Sequence, residues 1–433
     1  MADITIRGIE IVGHSGLKDV HVANGVIANI VPTGSQQFPT SATTQVIDGK
    51  NCFALPAFID LHTHTREPGK PRAETAATAS AAAAAGGYCV IHAMANTLPV
   101  TDTAEKVMAV WNRGRELGVV DIRPIGAVTK GLGGAELAPI AAMHDTEAAP
   151  TVFSDDGHCV SRADLMRTAL RTVAEFGGVI AQHAQDPDLT SGAQANEGEP
   201  AKRMGFKGWP VVAESAIVAR DVLLAADTGA RLHVCHVSAA QTVEVLRWAK
   251  SRGIDVTAEV TPHHLLLTDD LILSGDPVFK VNPPLRSAHD VHAVREALAD
   301  GTIDAVATDH APHEDEHKSC AWSAAAMGML GLETAFAIVW QVMVESGLIK
   351  HSRLIDIMST APARIGGVVA PKIEIDAPAN LVVIDPHARW QVDSNALHSL
   401  SNNTPFLGRN LPVRVVATLH NGRLTHQTER SEA

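Results

Sequence analysis

Two histidines that are one residue apart, His62 and His64, end an apolar stretch and have the spacing of a metal-binding pair. If the stretch is a β-strand, its period of two places both imidazoles on the same face. Imidazole nitrogen is a common ligand of zinc and of other divalent metals. A lone pair of this kind is more often a pair of surface or capping histidines, so its interpretation depends on the residues that end the other apolar stretches.

Further apolar stretches along the chain also end in groups that could bind a metal. These endings are Asp155-Asp156, Gln182-His183, Cys235-His236 and Thr308-Asp309-His310. Burying so many ionisable groups in one place is costly unless a cation compensates for their charge. A cluster of metal ligands therefore explains these residues better than a set of core histidines does.

The number of candidate ligands favours two metal ions over one. A single hydrolytic zinc ion needs about three protein ligands and a water molecule, and this set is larger. The expected ligands fall into two groups, which are His62, His64 and Asp309 for one metal and His183 and His236 for the other. A two-metal site also needs an anionic bridge, which must come from the stretch that ends in Asp155-Asp156. A single-metal site is the alternative.

These groups must be positioned by the strand-like and helix-like segments that alternate through the middle of the chain. The strand candidates are PAFIDLHTH, GYCVIHAMAN, DIRPIGAVT, APTVFSDD, GVIAQHAQ, ARLHVCHVS, DVTAEVTPHH and DAVATDH. Eight such units in strict alternation predict an α/β fold with a parallel sheet closed into a (β/α)8 TIM-like barrel, whose catalytic groups lie at the C-terminal ends of the strands. An open, doubly wound sheet is the alternative. No glycine-rich phosphate loop follows the first strand, which counts against it.

Short strand-like segments at both ends of the chain predict a second, smaller domain. The segments ITIRGIEIV and KDVHVANGVIANIVP, the latter with an Asn-Gly turn, are typical of hairpins. The C-terminal segments NLVVIDPHARWQV and PVRVVATLHNGRLTHQ have the same character. We therefore expect residues 1–54 and 370–433 to form one composite β-sandwich domain and residues 55–369 to form the metal-dependent barrel.

Composition excludes several classes of function. The formal net charge of −13 and the lack of a basic run argue against a nucleic-acid partner. No uninterrupted apolar window reaches the length of a membrane span, and the first residues lack the pattern of a signal peptide. The five cysteines are scattered and none belongs to a Cys-x-x-Cys pair. These features predict reduced thiols and a cytoplasmic enzyme.

Several motifs, taken in order, give the chain a family resemblance. They are PAFIDLHTHTREPG, MANTLPV, FSDDG, TPHHLLL, VNPPLR, ATDHAPH and NTPFLGRNLPV. Together they resemble the bacterial type I dihydroorotases of the amidohydrolase superfamily, and the resemblance extends over essentially the whole chain. Each motif alone is moderately specific, whereas the complete ordered set is very specific.

The resemblance implies two zinc ions per subunit and a particular kind of bridge between them. Many relatives bridge the metals with a carbamylated lysine, but the fourth strand here ends without one, and Lys130 on the third strand is the nearest candidate. The chain resembles the subgroup in which an aspartate of the DDG motif replaces that lysine. This alignment favours Asp156 as the bridge, with Asp155 as the alternative.

Arg66, two residues beyond the histidine pair, is suited to bind a substrate carboxylate through two parallel hydrogen bonds. Hydantoinases and dihydropyrimidinases act on substrates without this carboxylate, and the REPG run is not their usual pattern. The resemblance implies further substrate-binding residues, namely His64, Thr65, Asn96, Asn282, His313, Met327 and Gly328. The Ala-Met-Gly sequence at 326–328 departs from the Phe-Gly pair that many relatives have there.

The function that the resemblance implies is the reversible cyclisation of N-carbamoyl-L-aspartate to L-dihydroorotate and water in de novo pyrimidine (UMP) biosynthesis. A metal-bridged hydroxide is the expected nucleophile, and Asp309 is the expected general acid and base. The alternatives are another cyclic amidase, such as allantoinase, hydantoinase or dihydropyrimidinase, and a non-catalytic scaffold for aspartate transcarbamoylase. Such scaffolds lose metal-ligand histidines, which this chain retains. The sequence leaves open a homodimer and an association with aspartate transcarbamoylase.

Overall fold

The N-terminal part of the chain forms strands β1 to β5 in the computed structural model, which describes residues 2–35, Phe38 and 44–428. Their bounds are Ile4–Ile11, Lys18–Ala23, Val26–Pro32, Gln45–Asp48 and Phe53–Pro56. Strands β1, β2 and β3 pair antiparallel in that order, and β4 and β5 pair parallel to β1. Asn24 and Gly25 link β2 to β3 with φ of 52° and 86°, the left-handed pair that a tight hairpin turn requires.

The middle of the chain contains strands β6 to β15. Their bounds are Phe58–Thr63, Tyr88–Ala93, Asp121–Pro124, Val152–Phe153, Val179–Gln182, Ala195–Asn196, Gly208–Trp209, Arg231–Val234, Val256–Val260 and Ala305–Val306. Strands β11 and β12 form a separate two-stranded ladder. The other strands pair parallel in two groups, β6-β7-β8 and β9-β10-β13-β14-β15.

Two parallel bridges join these groups into a closed ring. Gly126 pairs with Phe153 between the second group and the end of β8, and Thr63 pairs with His310 between β6 and the segment after β15. The eight strands of the ring are, in order, β6, β7, β8, β9, β10, β13, β14 and β15. The predicted (β/α)8 barrel is therefore confirmed, and the C-terminal ends of its strands meet at one mouth.

Helices α1 to α13 cover the barrel and its loops. Their bounds are Ala76–Ala85, Ala104–Leu117, Ile140–His144, Ala163–Ala174, Pro187–Thr190, Glu199–Met204, Val212–Thr228, Ala240–Ser251, Pro262–Leu266, Ala288–Asp300, Ala335–Val339, His351–Ile355 and Ala361–Gly366. Short 3₁₀ turns span Lys130–Leu132, Asp269–Ser274, Pro277–Phe279 and Asp315–His317, and π-helical turns span Trp340–Val344 and Asp356–Thr360. The alanine-rich α1 begins with a Thr75 capping box and ends at Gly86, where a Cβ atom would lie 2.1 Å from the Leu332 carbonyl oxygen. No helix among the described residues is long and apolar enough to cross a membrane.

The C-terminal part of the chain returns to the N-terminal strands. Strands β16 to β18 span Leu381–Gln391, Asn410–His420 and Arg423–Gln427. Because β16 pairs antiparallel with β5, strands from both chain ends share one sheet, as the sequence predicted. Ile6 and Val20 from one end pack in the same apolar core as Leu381 and Leu419 from the other. The predicted boundaries of this domain, 1–54 and 370–433, include residues outside the described part of the chain, so the boundaries stay a prediction.

Candidate metal centre and substrate cavity

Asp156 lies among four histidines at the mouth of the barrel. Its Oδ1 atom is 3.2 Å from both His62 Nε2 and His183 Nδ1. The same oxygen is 3.4 Å from His236 Nε2, and Oδ2 is 3.4 Å from His64 Nε2. All five side chains are buried. A carboxylate that contacts both predicted ligand groups has the position that a bridge between two cations requires.

Asp155 points to a different part of the barrel. Its Oδ1 atom accepts hydrogen bonds from the backbone N–H groups of Val128 at 2.8 Å and Thr129 at 2.9 Å, and the Thr129 hydroxyl donates to Oδ2. Neighbouring residues on an extended segment face opposite sides. Of the two alternatives that the sequence left open, the geometry therefore brings only Asp156 into the histidine cluster.

Asp309, in the segment after β15, completes the cluster. Its Oδ1 atom is 3.0 Å from His64 Nε2 and 3.5 Å from His62 Nε2. Burial acts to raise the pKa of Asp309, but attraction to His62 and the contact with His64 outweigh it and hold that pKa well below its usual range. Asp309 has φ of 45° and His236 has φ of 33°. Such left-handed non-glycine residues cost about 1–3 kcal/mol each and are typical of functional sites.

Hydrogen bonds on the outer side of the ligand histidines orient their rings. His64 Nδ1 donates to Asn96 Oδ1 at 2.9 Å, and His183 Nε2 donates to Gln185 Oε1 at 2.8 Å. In each ring the other nitrogen then carries a lone pair and faces Asp156. Asn96, which the family resemblance implied as a substrate-binding residue, therefore also anchors a candidate ligand, and Gln185 was not identified from the sequence.

Glu259, the fourth of the five residues of β14, is a buried residue of the candidate site that sequence reasoning missed. His62 Nδ1 donates to Glu259 Oε1 at 2.8 Å, and His233 Nε2 lies 3.0 Å from Oε2. Burial acts to raise the pKa of Glu259, but the hydrogen bonds from His233 and His62 outweigh it and lower that pKa to about 2. An available signal was the lone carboxylate of the strand VTAEV, whose other residues carry no charge, because a buried charge needs a partner.

The cluster has the donor set of a metal centre. The lone pairs of the His64 and His183 nitrogens face carboxylate oxygens at 3.0–3.4 Å, an arrangement that is repulsive unless a cation lies between them. His62 Nε2 is buried and has no hydrogen-bond partner among the described residues. Two groups that share Asp156 have ligand atoms within 4.8 Å of one another, His62-His64-Asp156 and Asp156-His183-His236, and a third such group is His62-Cys235-Glu259. The residues therefore fit a divalent metal centre, and Asp156 belongs to two of these groups.

A cavity of about 220 Å³ opens beside the cluster. Its lining includes the predicted ligands His64, Asp156, His183 and Asp309 and the predicted substrate-binding residues Arg66, Asn96, Asn282, His313, Met327 and Gly328. Thr65 lies buried beside the cavity rather than in its lining, and its hydroxyl donates to the Glu67 carbonyl oxygen at 3.3 Å. Except for Thr65, the predicted substrate-binding residues converge on one space next to the candidate metal ligands.

The polar groups of the cavity suit an anionic ligand. Arg66 Nε donates to the Pro312 carbonyl oxygen at 3.0 Å, which leaves the two terminal nitrogens without a hydrogen-bond partner among the described residues. Burial lowers the pKa of Arg66 to about 10, so the side chain stays charged at neutral pH. Burial and the Arg66 charge lower the pKa of His313 to about 3, and its neutral ring donates from Nε2 to the Met327 carbonyl oxygen at 2.8 Å.

Comparison with known proteins matches the chain to dihydroorotases by sequence and to hydantoinases by fold. A family model described as dihydro-orotase-like matches residues 52–242. The dihydroorotase of Streptomyces coelicolor is 53% identical over 98% of this chain and 98% of its own length. The dihydroorotase of Mycobacterium tuberculosis is 50% identical over 98% of both chains. Among solved structures, the L-hydantoinase (dihydropyrimidinase) of Arthrobacter aurescens is 26% identical, with a TM-score of 0.85 over 100% of this chain and 98% of that chain.

Proposed function

The chain belongs to the dihydroorotase family of cyclic amide hydrolases, and we propose that it interconverts N-carbamoyl-L-aspartate and L-dihydroorotate in de novo pyrimidine biosynthesis. The cyclisation releases one water molecule, and hydrolysis of the ring amide is its reverse. The observation that carries the choice of substrate is the charged guanidinium of Arg66 inside the cavity, beside the candidate metal ligands.

Arg66 selects the substrate in this proposal. Its two terminal nitrogens have the planar geometry that pairs with both oxygens of a carboxylate. L-Dihydroorotate carries such a carboxylate next to the ring, whereas hydantoin and dihydrouracil do not.

The likeness to hydantoinases is one of fold at 20–26% identity. The alternatives of hydantoinase, dihydropyrimidinase and allantoinase are therefore less well supported than dihydroorotase. Asn96, Asn282 and His313 lie around the same space to orient the ring.

The proposed cofactor is zinc, with two ions per subunit. His62, His64 and Asp309 would hold one ion, His183 and His236 the other, and Asp156 both. When bound, zinc would lower the pKa of a water molecule and polarise the substrate carbonyl.

Asp309 is the proposed general acid and base. In hydrolysis its carboxylate accepts the proton of the attacking water and then donates it to the leaving ring nitrogen, and in cyclisation it performs the same transfers in reverse. The low pKa of Asp309 keeps it ionised at neutral pH, which is the state that accepts a proton. Its Oδ1 atom lies 3.0 Å from His64 Nε2, and the side chain lines the cavity.

The proposal is tested by following the ultraviolet absorbance of L-dihydroorotate with the purified protein, with hydantoin and dihydrouracil as matched cyclic amides that lack the carboxylate. We expect turnover of dihydroorotate, loss of that turnover after treatment with a chelator, and recovery on addition of zinc. Faster turnover of either uncharged ring than of dihydroorotate would contradict the proposed substrate. Turnover that persists in metal-free protein would contradict the proposed cofactor.

The proposal also includes the cellular location of the enzyme and its assembly with other chains. A cytoplasmic location is supported by the five cysteines, all of which are free thiols. A homodimer and an association with aspartate transcarbamoylase stay predictions of the family resemblance. Light scattering during size-exclusion chromatography, with and without added aspartate transcarbamoylase, measures both.

A further inference from the structure

Asn403 hydrogen-bonds to the wall of the substrate cavity, although it lies outside residues 55–369, the predicted barrel. It begins the NTPF motif, in the segment between β16 and β17, the two strands that carry the C-terminal part of the chain back to the small β-domain. Its side chain is buried, with a relative exposure of 5%, whereas the neighbouring Asn402 is exposed. A buried amide requires hydrogen-bond partners, and the partners of Asn403 all belong to the wall of the cavity.

The Asn403 amide binds two separate segments of that wall. Its Oδ1 atom accepts a hydrogen bond from the His313 backbone N–H at 3.1 Å. Its Nδ2 atom donates to the carbonyl oxygen of Ala311 at 2.9 Å and to that of Gly328 at 3.2 Å. The Asn403 carbonyl oxygen also accepts from the Leu330 N–H at 3.1 Å. Asn403 therefore bonds to both the segment after β15 and the Met327-Gly328 segment, which are also joined by His313 Nε2 and the Met327 carbonyl oxygen and by the Ala311 N–H and the Met329 carbonyl oxygen.

The two segments pack so closely that there is no room for a side chain at Gly328. Gly328 has φ of 143°, and a Cβ atom there would lie 2.7 Å from the Ala311 Cβ atom and 2.8 Å from His313 Nε2. The segment 311–313 includes Pro312, whose carbonyl oxygen accepts the Arg66 Nε hydrogen bond. A shift of this segment would therefore move both His313 and the partner that orients Arg66.

We propose that Asn403 is a positioning residue for recognition of the substrate carboxylate, because it fixes the backbone that orients Arg66 and His313. This inference rests on the proposed function, in which Arg66 binds that carboxylate. Asn403 hydrogen-bonds to the backbone of three lining residues, Ala311, His313 and Gly328, but it does not itself line the cavity and has no hydrogen bond to a candidate metal ligand. Its removal should therefore affect substrate binding and leave the metal centre intact.

On only one of the two segments does the atom that binds Asn403 have a second hydrogen-bond partner among the described residues. The Gly328 carbonyl oxygen also accepts a hydrogen bond from Lys318 Nζ at 3.1 Å. For the Ala311 carbonyl oxygen and the His313 N–H, no hydrogen-bond partner other than Asn403 is present in the described part of the chain. The effect of removing the amide should therefore fall on the 311–313 side, where Arg66 is held.

The test compares Asn403→Ala and Asn403→Asp with the matched control Asn402→Ala. The aspartate is isosteric and keeps the acceptor for the His313 N–H, but it places an oxygen against the two carbonyl groups where the amide donated. For each folded variant, zinc content, thermal stability, and kcat and KM for L-dihydroorotate are measured. We expect both Asn403 variants to raise KM about tenfold or more, with kcat changed by less than about threefold and zinc content unchanged. The Asn402 variant should match the wild type in every measurement.

Three results would overturn the inference. The first is a folded Asn403 variant whose KM stays within about twofold of the wild type. The second is a loss of kcat in parallel with loss of zinc, which would make Asn403 a support of the metal centre instead. The third is a wild-type enzyme that does not turn over dihydroorotate, because the proposed function would then fail first and the inference with it. If Asn403→Ala does not fold, the isosteric Asn403→Asp variant decides between these outcomes.

Discussion

Glu259 and His62 are joined by a buried hydrogen bond of 2.8 Å between the seventh and first strands of the barrel. The carboxylate accepts a hydrogen bond from the Nδ1–H group of His62, so that the Nε2 atom faces Asp156 and Asp309. Glu259 also contacts His233 through its other oxygen. Residues that orient a ligand histidine in this way raise its basicity and fix its tautomer.

The substitution Glu259→Gln should therefore weaken metal binding. A neutral amide has about the same volume but is a poorer acceptor for the Nδ1 proton, and we expect zinc affinity to fall about 10- to 100-fold. Competition with a chromogenic chelator measures this affinity directly. Glu333→Gln is the matched control. Glu333 also pairs with a histidine, with 2.9 Å between its Oε2 atom and His398 Nδ1, but it is not part of the candidate metal centre. Equal zinc affinity in the Glu259 variant and the control would contradict the orienting role.

The adjacent residues Asp155 and Asp156 provide a second comparison. Asp156→Ala should lower the zinc content, because it removes the oxygens that face all four histidines. Asp155→Ala should leave zinc content near that of the wild type and lower the free energy of unfolding by about 2–4 kcal/mol, because it leaves two buried N–H groups unpaired. Metal analysis and urea unfolding of both variants measure these effects. Zinc loss in the Asp155 variant alone would reverse the assignment.

Much of the fold was predictable from the sequence because its signals are local and repeated. Apolar runs followed by polar endings recur along the barrel strands, and several helices between them end at a glycine, as α2 and α7 do at Gly118 and Gly229. Asn24-Gly25, for example, predicted a hairpin turn from the conformations that these two residue types favour. The eightfold repeat of strand and helix then predicted the barrel.

The site was less predictable wherever a role depends on a long-range contact. Asp155 and Asp156 are equivalent in a sequence, and only the twist of the backbone after β9 decides which one faces the histidines. In the predicted strand DVTAEVTPHH, Glu259 lies before the polar ending, so the pattern that identified His62 did not include it. Asn403 lies 90 residues from His313 along the chain, and no local pattern indicates that its amide holds the wall of the cavity.

Asp309→Asn should abolish turnover while the fold is retained. The amide cannot accept the proton of the attacking water, and loss of a positioned general acid and base reduces kcat about 10²- to 10⁴-fold. Single-turnover measurements with dihydroorotate, together with zinc analysis and circular dichroism, separate loss of chemistry from loss of metal or of structure. Near-normal kcat in a zinc-loaded, folded variant would remove Asp309 from the proton transfer.

Arg66→Met should weaken substrate binding far more than zinc binding. It removes a charged hydrogen-bonding pair, and we expect KM for dihydroorotate to rise about 10- to 100-fold. Arg66→Lys is the matched control, since it keeps the positive charge and loses the planar fork, and its KM should lie between those of the wild type and the Met variant. An unchanged KM in Arg66→Met would mean that another group binds the carboxylate.

Lys318 should make the stability of the protein depend on pH above neutrality. Its Nζ atom donates to the carbonyl oxygens of Lys280, Ala326 and Gly328. Burial, together with the nearby charge of Lys280, lowers the pKa of Lys318 to about 7, whereas a lysine in an unfolded chain titrates near about 10.4. Between these two values the unfolded state holds a proton that the folded state has lost, so the free energy of unfolding rises with pH in that window. Below about pH 7 both states are protonated, and this group contributes no pH dependence.

The substitution Lys318→Met isolates that contribution. Urea unfolding of the wild type and the variant at several pH values between 6 and about 10 gives the difference in their unfolding free energies, in which groups common to both proteins cancel. We expect the difference to be flat below about pH 7 and then to change in favour of the wild type by on the order of 1.4 kcal/mol per pH unit. A difference that stays constant across the range would mean that the buried ammonium remains charged, held by its three carbonyl partners.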